Sequence, residues 1–525
     1  MTPEILSLLV LASPLAFGLV TLAAIRQPGP RPRLVERLSA GAAGFAMAVA
    51  AVAAWLTATH GLLQSPTLAW QGIGLSIRLD PLSATMFAMI ALLSFNIVRF
   101  SRTYMDGDPR QGVFLGRLTA TIASVQLLVL SGNVGLLVLA WILTSLTLHG
   151  LLVFYRERRR AVVAARKKFI AARLGDACLI GAVTLLYLQF GTGDLEAIFS
   201  GLRMLPEGAG VPAYVEAATL LIAVAAILKS AQFPTHSWLI EVMETPTPVS
   251  ALLHAGILNA GPFLAVRMSF VLEHATLGPL LLIAVGGFTA LFASKALLTQ
   301  PAIKTGLGYS SAAHMGFMLM VCGLGVYAAA ILHLVAHSFY KAHAFLSSGS
   351  VVDAARAADV RLPARLGSPL RVVGSIALAV AIFVGFAQVL HLADGTLPLG
   401  IILVMGIAQI IAPTLDSDGD LAAVGRAVLL GTGVAAAFFG LEITFAALLG
   451  TVLPAVVHPA PLVQAGTWTL VALFGAATLL QILRPARAQR PWERRLALHL
   501  RNGFYANAAF DRLVGALRTD KAAAS

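Results

Sequence analysis

Long aliphatic stretches, separated by short polar links, run through most of the chain. They are continuous and do not alternate, which excludes the period-two pattern of a transmembrane barrel strand. A helix needs about 20 mostly apolar residues to cross a bilayer. Such runs cover residues 4–25, 38–59, 81–100, 113–130, 132–155, 169–190, 213–233, 249–272, 277–298, 303–323, 326–349, 370–392, 397–415, 422–441 and 463–483. The pattern predicts an all-α polytopic membrane protein with about fifteen transmembrane helices. The stretch 443–457, interrupted by Gly450 and Pro454, is left out of the count.

Composition agrees, with 58% hydrophobic and only 12% charged residues, against roughly 25% charged in a soluble domain. The net charge of +13 does not signal nucleic acid, because the bases fill links between apolar runs and not one water-facing surface. Arg26, Arg31, Arg33 and Arg37 occupy the first link, and Arg99, Arg102, Arg110 and Arg117 surround the third. Arg156, Arg158, Arg159, Arg160, Arg166, Lys167 and Lys168 crowd the fifth, while Arg356, Arg361, Arg365 and Arg371 occupy the eleventh. The positive-inside rule then places odd links in the cytoplasm, the N-terminus outside and the C-terminus in the cytoplasm. No basic segment precedes the first run, so it is expected to remain as an anchor. Residues 1–484 are expected to form the transmembrane unit and 485–525 a basic, amphipathic cytoplasmic tail. In that tail Leu496, Leu500, Phe504, Phe510, Leu513 and Leu517 recur at helical spacing. Such a tail suits a docking partner or an anionic lipid surface equally.

Cys178 and Cys322 lie inside apolar runs, which excludes a disulfide framework and a cysteine-based zinc site. No cysteine–histidine cluster has ligand spacing, so neither metal nor cofactor is assigned to this chain.

A charge at mid-membrane costs at least ~2.5–3.5 kcal/mol and usually marks function. His333, His337 and Lys341 are spaced by four, which lines them along one helix face. Imidazole changes charge near neutral pH, so this row can pass protons; the alternative is that each group bonds a neighbouring helix. Lys229 precedes Ser230, Gln232 and Pro234, a sequence expected to break the helix and free carbonyls at membrane depth, unless the lysine only snorkels. His254 sits on the following helix, after Pro246 and Pro248. Secondary candidates are His149, Asp176 three residues after Arg173, Glu244 before the proline pair, and Lys304 near a membrane boundary. Asp80 followed by Pro81 reads as a helix cap.

Residues 229–239 (Lys-Ser-Ala-Gln-Phe-Pro-Thr-His-Ser-Trp-Leu) and 243–255 (Met-Glu-Thr-Pro-Thr-Pro-Val-Ser-Ala-Leu-Leu-His-Ala) form one signature. Lys304, Tyr309-Ser310, His314-Met315-Gly316 and residues 333–350 extend it. Together they resemble the antiporter-like subunits, such as the NuoL-type proton-pumping chain of respiratory complex I and the Mrp sodium/proton antiporters. The resemblance implies broken seventh and twelfth helices, and a central proton path through Lys229, His254, His333, His337 and Lys341. Two positions depart from the family. Trp141-Ile142 stands where the family has Trp-Glu, which removes the acid that partners Lys229 and makes His149 a candidate substitute. Gly385-Phe386-Ala387-Gln388 carries a neutral amide where the family has lysine or glutamate. With the basic tail, these departures resemble the membrane subunits of Dab inorganic-carbon accumulation complexes. That resemblance implies a cation-conducting subunit, expected to carry protons, in a bacterial inner membrane. It also implies a soluble cytoplasmic zinc partner related to β-carbonic anhydrases, which brings the metal and the hydration chemistry. A cation/proton antiporter, a complex I-like pumping subunit and a bicarbonate permease are the alternatives.

Overall fold

In the computed structural model, residues 3–205, 210–349, 369–390, 397–416, 421–455, 460–483 and 491–514 are described. Each of the fifteen apolar runs coincides with a helix. These are α1 (Glu4–Arg26), α2 (Arg33–His60), α3 (Pro81–Tyr104), α4 (Gln111–Val129), α5 (Val134–Leu152), α6 (Arg159–Phe190), α7 (Ala213–Lys229) and α8 (Thr247–Arg267). They continue as α9 (Leu277–Leu297), α10 (Ile303–Gly323), α11 (Tyr327–Leu346), α12 (Pro369–Leu390), α13 (Leu397–Asp416), α14 (Leu421–Leu449) and α15 (Pro461–Leu483). Among the described residues, eleven helices are long and apolar enough to cross a membrane. The four that fall short are α7, with 17 residues, α10 and α11, which carry lysine and histidine, and α13, whose apolar part is Leu397–Ala412.

Two boundaries differ from the sequence reading. The fifth basic link is largely helical: α6 starts at Arg159, and Lys167 and Lys168 are buried within it. The fourteenth helix runs on through the excluded stretch to Leu449, which places Glu442 inside it. Arg356, Arg361 and Arg365 of the eleventh link lie outside the described residues.

The link between α2 and α3 holds short antiparallel pairs, Leu63–Gln64 with Arg78–Leu79 and Leu68–Trp70 with Ile73–Leu75. Asp80 caps α3 as its sequence predicts, accepting from the Ser83 N–H at 2.7 Å. It also anchors a network the sequence did not reveal. Its carboxylate takes Arg78 Nε at 2.7 Å and Arg267 Nη1 at 2.5 Å, while Arg78 Nη1 reaches Glu196 at 2.9 Å. Burial alone would push this carboxyl up, but the charges of Arg267 and Arg78 prevail and hold it far below the usual carboxylate range. The network ties the α2–α3 link to α3, to the end of α8 and to the short helix Leu195–Arg203.

Close helix contact depends on missing side chains. A Cβ on Gly286 of α9 would lie 2.6 Å from Gly316 O of α10, and one on Gly316 would lie 2.5 Å from Gly286 O. Without a hydrophobic drive between helices in lipid, such backbone approach supplies much of the attraction.

The resemblance implies breaks in the seventh and twelfth helices. The seventh is interrupted as expected: α7 stops at Lys229, Ala231 adopts φ 52°, and helix resumes at Ser237–Glu241. Over Pro369–Leu390 the twelfth is one continuous helix, with Gly385 and Gln388 inside it. An interruption occurs instead in α8, where Thr247–Ala255 gives way at Gly256 to the 3-10 turn Ile257–Asn259 and then Ala260–Arg267. Pro262 explains part of this break, because it lacks the N–H that would bond Leu258 O. Ser230 Oγ donates to that carbonyl instead, at 2.9 Å.

Candidate functional site: a buried row of lysine and histidine

The two broken helices meet where the titratable residues are. A Cβ on Gly261 of α8 would lie 2.1 Å from Ser230 Oγ and 2.5 Å from Ala226 O, so only glycine allows the approach. Lys229, buried at the last position of α7, extends its Nζ to α5. It donates to Trp141 O at 2.9 Å and Thr144 Oγ1 at 3.0 Å, and sits 4.2 Å from the Trp141 ring centroid. Ile142 offers no charge, and two carbonyl and hydroxyl oxygens with an indole face take the place of the family's acid. The carboxylate whose charge acts on Lys229 is Asp176 of α6. Asp176 pairs with Arg173 at 2.6 Å, the i,i+3 contact its spacing predicts.

His149 does not take the acid's place. Its ring packs 5.2 Å from Phe169, its buried Nδ1 has no hydrogen-bond partner among the described residues, and the charge nearest in effect is Lys168. Lys168 is itself a residue that sequence reasoning missed. It looked like one more base in a cytoplasmic run, yet its Nζ donates to Ser145 O at 2.7 Å and Ser145 Oγ at 2.8 Å. Two lysines thus converge on neighbouring residues of α5, with Asp176 acting on both.

His254 is fully buried and stacks on Phe345 of α11, with centroids 4.3 Å apart, and among the described residues neither ring nitrogen has a hydrogen-bond partner. Below it Asn259, also unrecognised in the sequence, donates to Ala255 O and to Ser338 Oγ of α11, both at 2.7 Å. A small, largely apolar cavity is lined by Thr144, Gly256 and Asn259, and so runs from the residue bonded to Lys229 toward the break beside His254.

On α11, His333 and His337 follow the predicted face, and Lys341 is buried with its Nζ donating to Leu307 O at 3.1 Å. His314 of α10 joins them. His314 Nδ1 and His333 Nε2 share a 2.9 Å hydrogen bond, and the His314 and His337 rings lie 4.9 Å apart. The rings of His314, His333 and His337 thus form one cluster, with Lys341 one turn further along α11. His314 stood within the recognised motif, but only the packing of α10 on α11 shows what it touches.

Two secondary candidates lie elsewhere. Lys304 bonds Thr247 Oγ1 at 3.3 Å at the start of α8. Glu244 stays near the surface, with its carbonyl accepting from Arg158 at 2.5 Å and its carboxylate 4.0 Å from Arg160.

The described tail rests on this chain itself, in two helices, α16 (Pro491–Arg501) and α17 (Ala506–Val514). Between them Gly503, Phe504 and Tyr505 all have positive φ, and Gly503 sits against Tyr309 and His236. Buried Lys167 holds the tail in place, donating to Glu241 and Asn507 at 2.7 Å each and pairing with Asp511. Asn507 completes the ring by donating to Glu241 Oε1 at 2.7 Å.

Comparison with known proteins agrees with this architecture. The family described as NADH:quinone oxidoreductase/Mrp antiporter, transmembrane, matches residues 131–387, and that described as the complex I chain 5 N-terminus matches 71–115. A probable inorganic carbon transporter subunit DabB2 of Halothiobacillus neapolitanus is 37% identical over 494 residues, covering 90% of this chain and 86% of its own. A probable DabB subunit of Hydrogenovibrio crunogenus is 40% identical over 288 residues, 54% of this chain and 55% of the relative. In fold, the chain is similar to the Mrp complex of Dietzia sp., with TM-score 0.57 and 22% identity over 98% of this chain and 58% of that one. With 37% identity over 90% of this chain and 86% of the DabB2 relative, the protein belongs to the antiporter-like family of membrane subunits that includes the inorganic carbon transporter subunits DabB.

Proposed function

We propose that this chain conducts protons through the membrane to energise accumulation of carbon dioxide or bicarbonate by a soluble, zinc-bearing, carbonic-anhydrase-like partner of the DabA type. The reading rests above all on the row of titratable nitrogens, with Lys229, His254, His337 and Lys341 buried and His333 and His314 half-buried. Groups of this kind are costly in a bilayer and mark ion paths. The chain is the transport subunit, and the hydration chemistry and its zinc belong to the partner. Protons travel between the break below Lys229 and the α10–α11 histidines, with Thr144 and Asn259 beside the intervening gap. The chain sits in the bacterial inner membrane with its N-terminus outside and its C-terminus in the cytoplasm, as the basic links indicate. The segment 1–484 conducts, and the tail from 485 faces the partner while Lys167 holds it.

Purification of the tagged chain, with identification of co-purifying proteins and their zinc content, tests the partnership. A zinc protein in constant ratio supports it. Small membrane subunits without zinc would make the chain part of a cation/proton antiporter instead, and bicarbonate uptake by the chain alone in liposomes would make it a permease.

A further inference from the structure

His314, His333 and His337 do more than line a path. One nitrogen from each lies within 4.8 Å of the other two. Three nitrogens bound tetrahedrally to one ion at the usual 2.0–2.1 Å would be about 3.3 Å apart, so small side-chain adjustments bring them into place. The i,i+4 pair His333 and His337 stands on one face of α11, a spacing that presents two ligands to one ion; the third comes from α10, and only the packing of the two helices completes a ligand set that sequence spacing did not show. Both ring nitrogens of His337, a residue only 4% exposed, lack a hydrogen-bond partner among the described residues. A cavity of about 190 Å³ reaches His333 between α10, α11 and α14. That space has room for a fourth ligand beside His333, while its other lining residues are apolar.

We propose that His314, His333 and His337 form a binding site for one divalent transition-metal ion of the zinc class. Three imidazoles without a carboxylate select such ions over magnesium or calcium. The opposing charge is that of Lys341, one turn along α11 and bonded to Leu307 O; hydroxide in the fourth position offsets part of it, since zinc-bound water ionises near neutrality. Occupied, the site takes the lone pairs that a proton relay through these rings would use, so the ion acts as a blocker. The site itself stands whether or not the rings carry protons.

The test is titration of the purified full-length chain with Co²⁺, read by visible d–d absorption and reversed by Zn²⁺. The expected result is one ion per chain with a tetrahedral spectrum. His337→Gln and the half-buried His314→Gln should each weaken binding by more than the about tenfold that loss of even an outer-shell partner costs, while exposed His60→Gln binds as the parent does. Absence of saturable binding by the parent overturns the proposal, as does undiminished binding by monodisperse His314→Gln or His337→Gln. A failure of proton conduction with intact Co²⁺ binding would count against the proposed function and leave this site standing.

Discussion

The centre of the molecule and its C-terminal third are built from similar apolar helices yet are packed in opposite ways. The most hydrophobic stretch of α8 is 94% buried inside the protein, against 17% for α12 and for α14 and 22% for α15. The enclosed helices carry Lys229, His254, Asn259, His337 and Lys341 as buried polar residues. Gln388 of α12, where the resemblance implies a charged residue, is exposed. Hydropathy alone does not separate these regions. What does is the distribution of groups that lipid cannot solvate: most of them need protein on every side, so the helices that hold them are enclosed, whereas outward-facing α14 carries one acid, Glu442, half-buried.

The strongest way to break this comparison is to neutralise each region in turn. Lys341→Ala and Lys229→Ala are expected to abolish growth in ordinary air while growth at elevated carbon dioxide persists, and Gln388→Ala should match the parent in both. Next in size is Asp80→Asn, which strips the acid from two buried arginines. Breaking such a buried pair costs about 3–5 kcal/mol, readable as a lowered melting temperature in detergent. A smaller contrast is Leu264→Ala in α8, fully buried, against Val380→Ala in α12. The first should cost near the lower end of about 2–5 kcal/mol, since the cavity penalty remains while lipid is as apolar as the core. The second should stay within about 0.5 kcal/mol. Lys167→Met should leave the core intact and expose the tail, seen as faster proteolysis near residues 503–514.

The finest test is pH. Asp80 has a folded value below its unfolded one of about 3.9, so its stabilisation is complete above that pH and drains away as pH falls toward the folded value. The parent should therefore lose melting temperature in this acid range, and Asp80→Asn, already weakened, should show a shallower loss.

Much of this was legible in the sequence because its signals are local. Twenty apolar residues fix a helix, Asp80-Pro81 fixes a cap, and Lys229 to Pro234 fixes a break, each within a few positions. The row on α11 was equally plain, since four-residue spacing holds whatever surrounds the helix. Pairings between distant segments were not legible. Lys168 looked like a cytoplasmic base, because nothing in its neighbours shows that Ser145 would receive it. The Arg267–Asp80 pair spans 187 positions, and His314 gains meaning only beside His333. The break in α8 was not read from the sequence: Pro262 removes a donor, and the Ser230 hydroxyl that takes the freed carbonyl lies just past the end of α7.

The most direct test follows proton movement itself, in liposomes that contain the chain together with its co-purified partner, loaded with a pH-sensitive dye. On addition of carbon dioxide the parent and Gln388→Ala should show the same internal pH change, and Lys341→Ala should show none. An equal pH change with Lys341→Ala would contradict the account.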